Sequence, residues 1–292
     1  MLPAMFSAET LSEEAARHEV LLRLCCPMCG GMIVPAIPRP GVPQSGDPPA
    51  TCLDCEAVYP WVRGILDLTR KDGPPAPRPN QYPFGGGVLD FHGFFAASLK
   101  TRAYDDHDLD DELFTLLGWM DIHPGAPVVQ IGVGLGEATQ ILASACPESP
   151  WLGLDDDMAS LRSARVALTR AGCSNVVLVC CDLERVPLKS GTFGSVLHFG
   201  VLHTLSDAAD HLRRLAGILP VGGCLAGVTL ARSNLPHLAA QQDVLGAKGG
   251  IRWVGMEHLA RRLMGRGWSS LRHEQPSNWM ARFVAVRAPL PS

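Results

Sequence analysis

The chain has 292 residues, room for one large domain or a domain with an appendage. Apolar residues are 47% and charged residues 18%, a balance that rules out a wholly disordered chain. The formal charge of −4 argues against a strongly basic nucleic-acid binder. No stretch approaches the roughly 18 uninterrupted apolar residues of a membrane-spanning helix.

In chain order, the N-terminus carries Glu9, Glu13 and Glu14 with no basic region before an apolar run, so it does not read as a secretory signal. Ten cysteines without such a signal point to a reducing, cytoplasmic setting, where clustered cysteines serve metals rather than disulfides. Residues 20–70 are rich in Cys and Pro, and 72–87 (DGPPAPRPNQYPFGGG) have linker composition. A covering helix is predicted over 110–119, with Asp108 to Asp111 placing negative charge at its N-terminal end. Apolar runs at 127–131, 151–155, 176–181, 195–199 and 223–230 then alternate with helical patterns at 137–145, 158–171 and 207–219. This alternation predicts an α/β, doubly wound, mostly parallel sheet. A polar stretch at 231–254 leads to an amphipathic helix at 257–264. Two strand-like runs at 268–273 and 280–287, joined through Pro276 and Asn278, read as an antiparallel C-terminal hairpin. The expected division is an N-terminal helix and cysteine module at 1–71, a linker and covering segment at 72–109, and the α/β domain at 110–292.

Cys26 and Cys29 form one C-x2-C pair, and Cys52 and Cys55 a second. Two such knuckles complete a tetrahedral all-thiolate site of the kind that zinc accepts with no open position, so a bound Zn2+ would be structural. Four reduced cysteines in a small core are the bland alternative. Cys25 reads as a neighbour, because Cys26-Pro-Met-Cys29-Gly30 is the better knuckle. Some 50 residues with few large apolar side chains would hold a fold poorly without a staple. Together with the later run Val58-Tyr-Pro-Trp-Val-Arg-Gly-Ile-Leu66, these pairs resemble the zinc ribbon of methyltransferase activator subunits over roughly residues 20–68. The resemblance implies a small zinc ribbon ahead of the sheet and leaves a protein partner of that ribbon open.

Gly132, Gly134 and Gly136 stand where the first strand of the sheet meets its first helix, a place where glycines let the chain turn tightly and a ligand lie close. The sixth position of a dinucleotide fingerprint is Glu137, not Gly, and no Gly-Lys-Ser/Thr ending marks a phosphate loop. Asp155 ends the next strand, where a carboxylate can accept both hydroxyls of a ribose. Cys181-Asp182-Leu183 follow the third strand, His198 and His203 accompany the fourth, and Gly222-Gly223 turn into the fifth.

In that order the motifs resemble the class I S-adenosylmethionine-dependent methyltransferases over about residues 110–288. The family implies a Rossmann-like, seven-stranded sheet with an antiparallel C-terminal hairpin, and S-adenosylmethionine as cofactor. By the same resemblance, Gly132, Gly134 and Gly136 would line its methionine and ribose portion. Asp155 would grip the ribose, with Asp156 or Met158 near the adenine. Asp182 would bond the adenine amino group, Leu183 would pack on the ring, and His198 with Phe199 would lie near the methyl. Two positions depart from the family: Gln130 replaces its Asp or Glu, and Gly194 follows Phe193 where an Asp is usual.

Methyl transfer requires alignment of nucleophile and methyl and exclusion of water, with a base only if the acceptor must lose a proton. His198 and His203 are the candidate bases; each can equally shape a pocket or cap a helix. Aromatic residues 82–104 and the 231–256 stretch, with Arg252 and Trp253, are candidate acceptor walls or simple seals. No N/D-P-P-Y/F run marks a base-amine or glutamine methylase. Residues 1–80 hold 7 Lys and Arg against 9 Asp and Glu, and residues 81–292 hold 18 against 20. Four thiolates on one dication would add about −2 more. Neither half offers the basic excess that phosphate contacts need. The favoured acceptor is therefore a small organic molecule. An rRNA base and a non-catalytic, partner-docking protein remain as alternatives.

Overall fold

A computed structural model describes residues 11–35, 47–69, 81–84, 87–90, 109–120, 122–249 and 251–289. Most of the expected linker and the candidate acceptor wall at 91–104 lie outside these residues.

Helix α1 (Glu13–Leu21) starts where the Ser12 hydroxyl accepts a hydrogen bond from the Ala15 N–H, with Glu13 and Glu14 favouring the positive end of the helix dipole. Strands β1 (Ile33–Pro35), β2 (Ala50–Cys52) and β3 (Val58–Tyr59) form a small antiparallel sheet in that order. Strands β4 (Trp61–Val62) and β5 (Ile65–Asp67) leave it. A hairpin of β6 (Gln81–Phe84) and β7 (Gly87–Asp90) and helix α2 (Leu109–Met120) precede the alternating region. That region runs β8 (Val128–Ile131), α3 (Glu137–Ala145), β9 (Trp151–Asp155), α4 (Met158–Arg170), β10 (Val176–Cys180), β11 (Ser195–Phe199), α5 (Ala208–Ala216) and β12 (Cys224–Leu230). Helices α6 (Pro236–Gly249) and α7 (Met256–Leu263) and strands β13 (Trp268–Glu274) and β14 (Met280–Arg287) complete the chain.

The main sheet is ordered β13-β14-β12-β11-β8-β9-β10-β5-β4. Its central six strands are parallel, and β14, β13 and β4 are antiparallel to their neighbours. Every residue of β8, β9, β10 and β12 is buried, as a strand covered on both faces requires. Helices α2, α3 and α4 contribute Leu113, Leu116, Leu142, Leu161 and Leu168 to one core layer. On the other face lie α1, α5 and α7, with Val20, Leu21, Leu212, Leu215 and Leu259. The chain runs from β8 outward to β10 and returns to β11 on the other side of β8, so the strand order reverses between β8 and β11, the place where open α/β sheets bind ligands.

The sheet has nine strands where seven were expected. The additional two, β5 and β4, come from 61–67, the segment read as the tail of the cysteine module. Strand β10 is wholly buried and would otherwise be a bare apolar edge; β5 pairs with it in parallel, Leu178 opposite Ile65 and Cys180 opposite Asp67. Three-residue strands carry too little periodicity to be read from sequence. A second difference is α6, inside the 231–254 stretch for which no element was predicted. It has no clear apolar stripe; buried Gln242 ties it down by accepting from the Ser233 N–H and donating to the Ala231 carbonyl, while the Trp253 indole N–H donates to the Gln242 carbonyl. Among the described residues no helix is long and apolar enough to cross a membrane.

Candidate functional site

The register of the parallel strands brings the expected residues to one edge. Ile131 lies opposite Leu154 and His198, and Asp155 opposite Cys180. Gly132, Asp155, Asp182 and Phe199 therefore all leave the sheet at the carboxyl ends of β8 to β11.

The loop after β8 is built around its glycines. Gly132 has φ +86°, and a Cβ there would stand 2.3 Å from the Phe199 carbonyl oxygen and 2.4 Å from Val201 Cγ2. Gly136 has φ +89°, and a Cβ there would meet Ala164 at 2.8 Å. Both positions require glycine for backbone reasons alone. Gly134 presents its N–H to Asp155 Oδ2 at 2.8 Å, while Asp155 Oδ1 accepts from the Asp157 N–H at 3.0 Å. One buried carboxylate thus ties the loop after β8 to the loop after β9. Gln130 is wholly buried below them; its amide donates to the Gly132 carbonyl at 3.0 Å and accepts from the Thr139 hydroxyl at 2.9 Å. An amide can do both at once, whereas an ionised carboxylate only accepts. Gln130 is therefore completed locally by Thr139 on α3, a partner the sequence reading missed.

Asp156 is an exposed residue, yet burial around its carboxyl group first, and then the adjacent Asp155 carboxylate, raise it to about 7. Asp157 caps α4, accepting from the Ala159 and Ser160 N–H groups. Asp182 is exposed beyond β10 and caps the short 3-10 turn Leu183–Arg185 through the Glu184 N–H at 2.8 Å. Leu183 is buried. Asp67, at the end of β5, was not singled out from sequence; it stands one strand beyond Cys180 on this edge. Burial first, then the carboxylates of Asp67, Asp155 and Asp156, push the Cys180 thiol up to about 12, so it stays a protonated core group.

His198 and His203 are both wholly buried. His198 Nε2 shares a hydrogen bond with His211 Nε2 on α5 at 3.2 Å, and the rings meet edge to face. Burial, then the neighbouring His211 and His203, hold His198 far below the usual imidazole range. Burial and then Arg214 bring His211 down to about 4, while its ring donates to the Glu184 carbonyl. His198 is a neutral link between β11, α5 and the turn after Asp182, with no exposed atom to offer an acceptor. Arg252 donates to the Thr204 and Leu205 carbonyls, which ties the stretch before α7 to the loop after β11.

The four cysteines converge as expected. The sulfurs of Cys26, Cys29, Cys52 and Cys55 all lie within 4.8 Å of one another, with Cys26 to Cys55 at 3.6 Å and Cys29 to Cys52 at 3.5 Å. A disulfide would need about 2.05 Å. Four thiolates about 2.3 Å from one tetrahedral ion stand about 3.8 Å apart, so the donor set suits such a cation. Cys26 Sγ also meets the Tyr59 hydroxyl at 3.0 Å.

Residues 129–227 match the family model described as a methyltransferase domain. Over 182 residues the chain is 28% identical to the malonyl-[acyl-carrier protein] O-methyltransferase of Laribacter hongkongensis, covering 60% of this chain and 61% of that protein. Over 98 residues it is 34% identical to the trans-aconitate 2-methyltransferase of Methylobacterium radiotolerans, covering 34% of this chain and 35% of that one. The chain thus spans less than two thirds of the curated relatives it matches. The fold is that of solved methyltransferases. Haemonchus contortus phosphoethanolamine N-methyltransferase 2, in complex with phosphomonomethylethanolamine and S-adenosylhomocysteine, superposes with a TM-score of 0.57 at 13% identity, covering 68% of this chain and 58% of that one. A chain from the complex of the Haloferax volcanii Trm112 methyltransferase activator with a methyltransferase gives 0.55 at 14% identity, covering 68% and 97%.

Proposed function

We propose that this protein is an S-adenosylmethionine-dependent methyltransferase acting on a small organic acceptor, with a structural Zn2+ held by Cys26, Cys29, Cys52 and Cys55. The carrying observation is the Asp155 carboxylate, buried at the strand-reversal edge and bonded to the Gly134 N–H, which joins the glycine turn to the end of β9 at the site where a nucleoside would lie. The matched methyltransferase domain spans this edge.

Gly132 to Gly136 would receive the methionine and ribose portion of the cofactor, Asp155 and Asp156 the ribose side, and Asp182 with Leu183 the adenine. When bound, S-adenosylmethionine supplies an electrophilic methyl group on a sulfonium. This chain's own work is to seat and orient: Gln130 and Thr139 hold the glycine turn, and Asp157 fixes the start of α4. Neither His198 nor His203 exposes a ring atom, so an acceptor that arrives already nucleophilic fits best. A carboxylate, ionised at neutral pH, is such an acceptor. The two curated relatives above carry names of carboxylate substrates, in keeping with this choice. The overall negative charge favours a small molecule over RNA.

Calorimetry of the full chain with S-adenosylhomocysteine is the first test; saturable binding lost in Asp155→Ala is expected, and no binding to the native chain overturns the reading. Mass spectrometry of a small-molecule extract incubated with the protein and a labelled methyl donor is then expected to show a labelled methyl ester. Label appearing in RNA instead overturns the acceptor class.

A further inference from the structure

The segment that carries Asp182 is fastened on both sides by the cysteine module. Before it, the last three residues of β10, Leu178 to Cys180, pair with β5, and the ladder continues as the Leu68 N–H donates to the Cys180 carbonyl at 2.8 Å. Strand β5 is itself tied back to the end of β3, since the Asp67 N–H donates to the Pro60 carbonyl at 3.0 Å, next to Tyr59, whose hydroxyl meets Cys26 Sγ. After Asp182, Leu24 and Leu188 form an antiparallel bridge. The Cys25 N–H donates to the Pro187 carbonyl and the Lys189 N–H to the Arg23 carbonyl, each at 2.9 Å. Side chains repeat the fastening: Lys189 Nζ donates to the Leu22 carbonyl and Arg23 Nε to the Thr192 carbonyl. These contacts end one residue from Cys26, whose N–H and carbonyl close its knuckle with Gly31 and Gly30.

Toward α5 the wall is held as well, since Glu184 accepts from the Ser206 N–H and hydroxyl and Arg214 donates to the Glu184 carbonyl. The crossover from β10 to β11 contains only the three-residue turn Leu183–Arg185, and α1 packs against β9 and β10 on the face that a crossover helix would cover. The segment 182–189 is therefore joined to the knuckles from both ends.

We infer that the cysteine module positions the Asp182–Lys189 wall, so that metal occupancy at Cys26, Cys29, Cys52 and Cys55 and adenosyl-ligand binding at Asp155 and Asp182 are energetically coupled. Arg23 is a positioning residue in this link and touches neither ligand. The inference rests on the cofactor reading given above. Coupling is reciprocal by thermodynamic necessity: each ligand raises the equilibrium affinity for the other by the same factor.

The test uses the zinc-loaded full chain and follows metal release to a colorimetric chelator, with and without saturating S-adenosylhomocysteine. Release is expected to slow by about fivefold or more when S-adenosylhomocysteine is bound. In Arg23→Ala the protection is expected to shrink toward unity while calorimetry still shows S-adenosylhomocysteine binding. The protection is a ratio within one protein, so a uniform loss of stability leaves it unmoved; Lys189→Ala serves if Arg23→Ala is unfolded at the assay temperature. Unchanged release in the native chain despite calorimetric binding overturns the coupling and leaves the methyltransferase reading intact. Absence of binding to the loaded native chain overturns both. A native chain that purifies with no more zinc than Cys52→Ser also overturns the coupling.

Discussion

Gly132 shows how little freedom the edge leaves a single residue. Its backbone is left-handed and its missing Cβ would overlap the Phe199 carbonyl, so Gly132→Ala is expected to cost about 2 to 4 kcal/mol, read as a shift in urea midpoint. Asp156 gives a pH signature. Its folded carboxyl titrates near 7 and its unfolded one near 4, so the fold binds a proton that the unfolded chain has lost between those values. Stability from this group is complete below about pH 4 and falls as pH rises toward 7. Asp156→Asn removes the charge, so its thermal midpoint is expected to exceed the native one at pH 8, with the difference fading by pH 4. A pH-independent difference would count against this assignment. Gly132, Gly134, Gly136 and Asp155 were legible in sequence because chemistry at a strand end restricts residue type. Thr139 was not, because a hydroxyl on a helix acquires meaning only from the buried amide opposite it.

At the scale of elements, caps and knuckles carry most of the local specification. Asp207 begins α5 by accepting from the Ala209 and Asp210 N–H groups, and the Arg262 guanidinium holds its carboxyl down to about 2. Asp207→Ala is expected to lose about 1 kcal/mol of stability at neutral pH in denaturant melts. That loss should diminish as the pH falls from 4 toward 2, because the native carboxylate then protonates. The cysteine pairs form a second unit. Cys52→Ser is expected to abolish stoichiometric zinc, measured by elemental analysis, and to lower the thermal midpoint by several degrees. The helices at 137–145 and 158–170 were readable from their apolar spacing and their starts, whereas α6 was not, since its placement depends on Gln242 rather than on an apolar stripe.

Across the whole molecule, residues 11–35 and 47–69 are joined to the sheet by hydrogen-bonded strands as well as by side-chain packing. Ile65 and Leu66 fall in opposite core layers, one on each face of β5. A chain truncated to residues 72–292 would leave β10 as an open edge and strip α1 from the face it covers. Such a fragment is expected to elute as aggregate in size-exclusion chromatography, while the full chain elutes as a discrete species. A folded, monodisperse fragment that binds S-adenosylhomocysteine with native affinity would contradict this account.

Sequence alone determined the alternating α/β plan, the two cysteine knuckles and the residues that meet at the strand-reversal edge, because each depends on short-range rules: strand and helix periods, thiolate spacing and backbone need for glycine. Tertiary structure alone decided that 61–67 extend the main sheet to nine strands, that Gln130 is completed by Thr139, and that His198 turns to His211 rather than to the crevice. Each of those outcomes is a pairing across many residues, set by which buried edge or polar atom would otherwise lack a partner, and no local pattern records it.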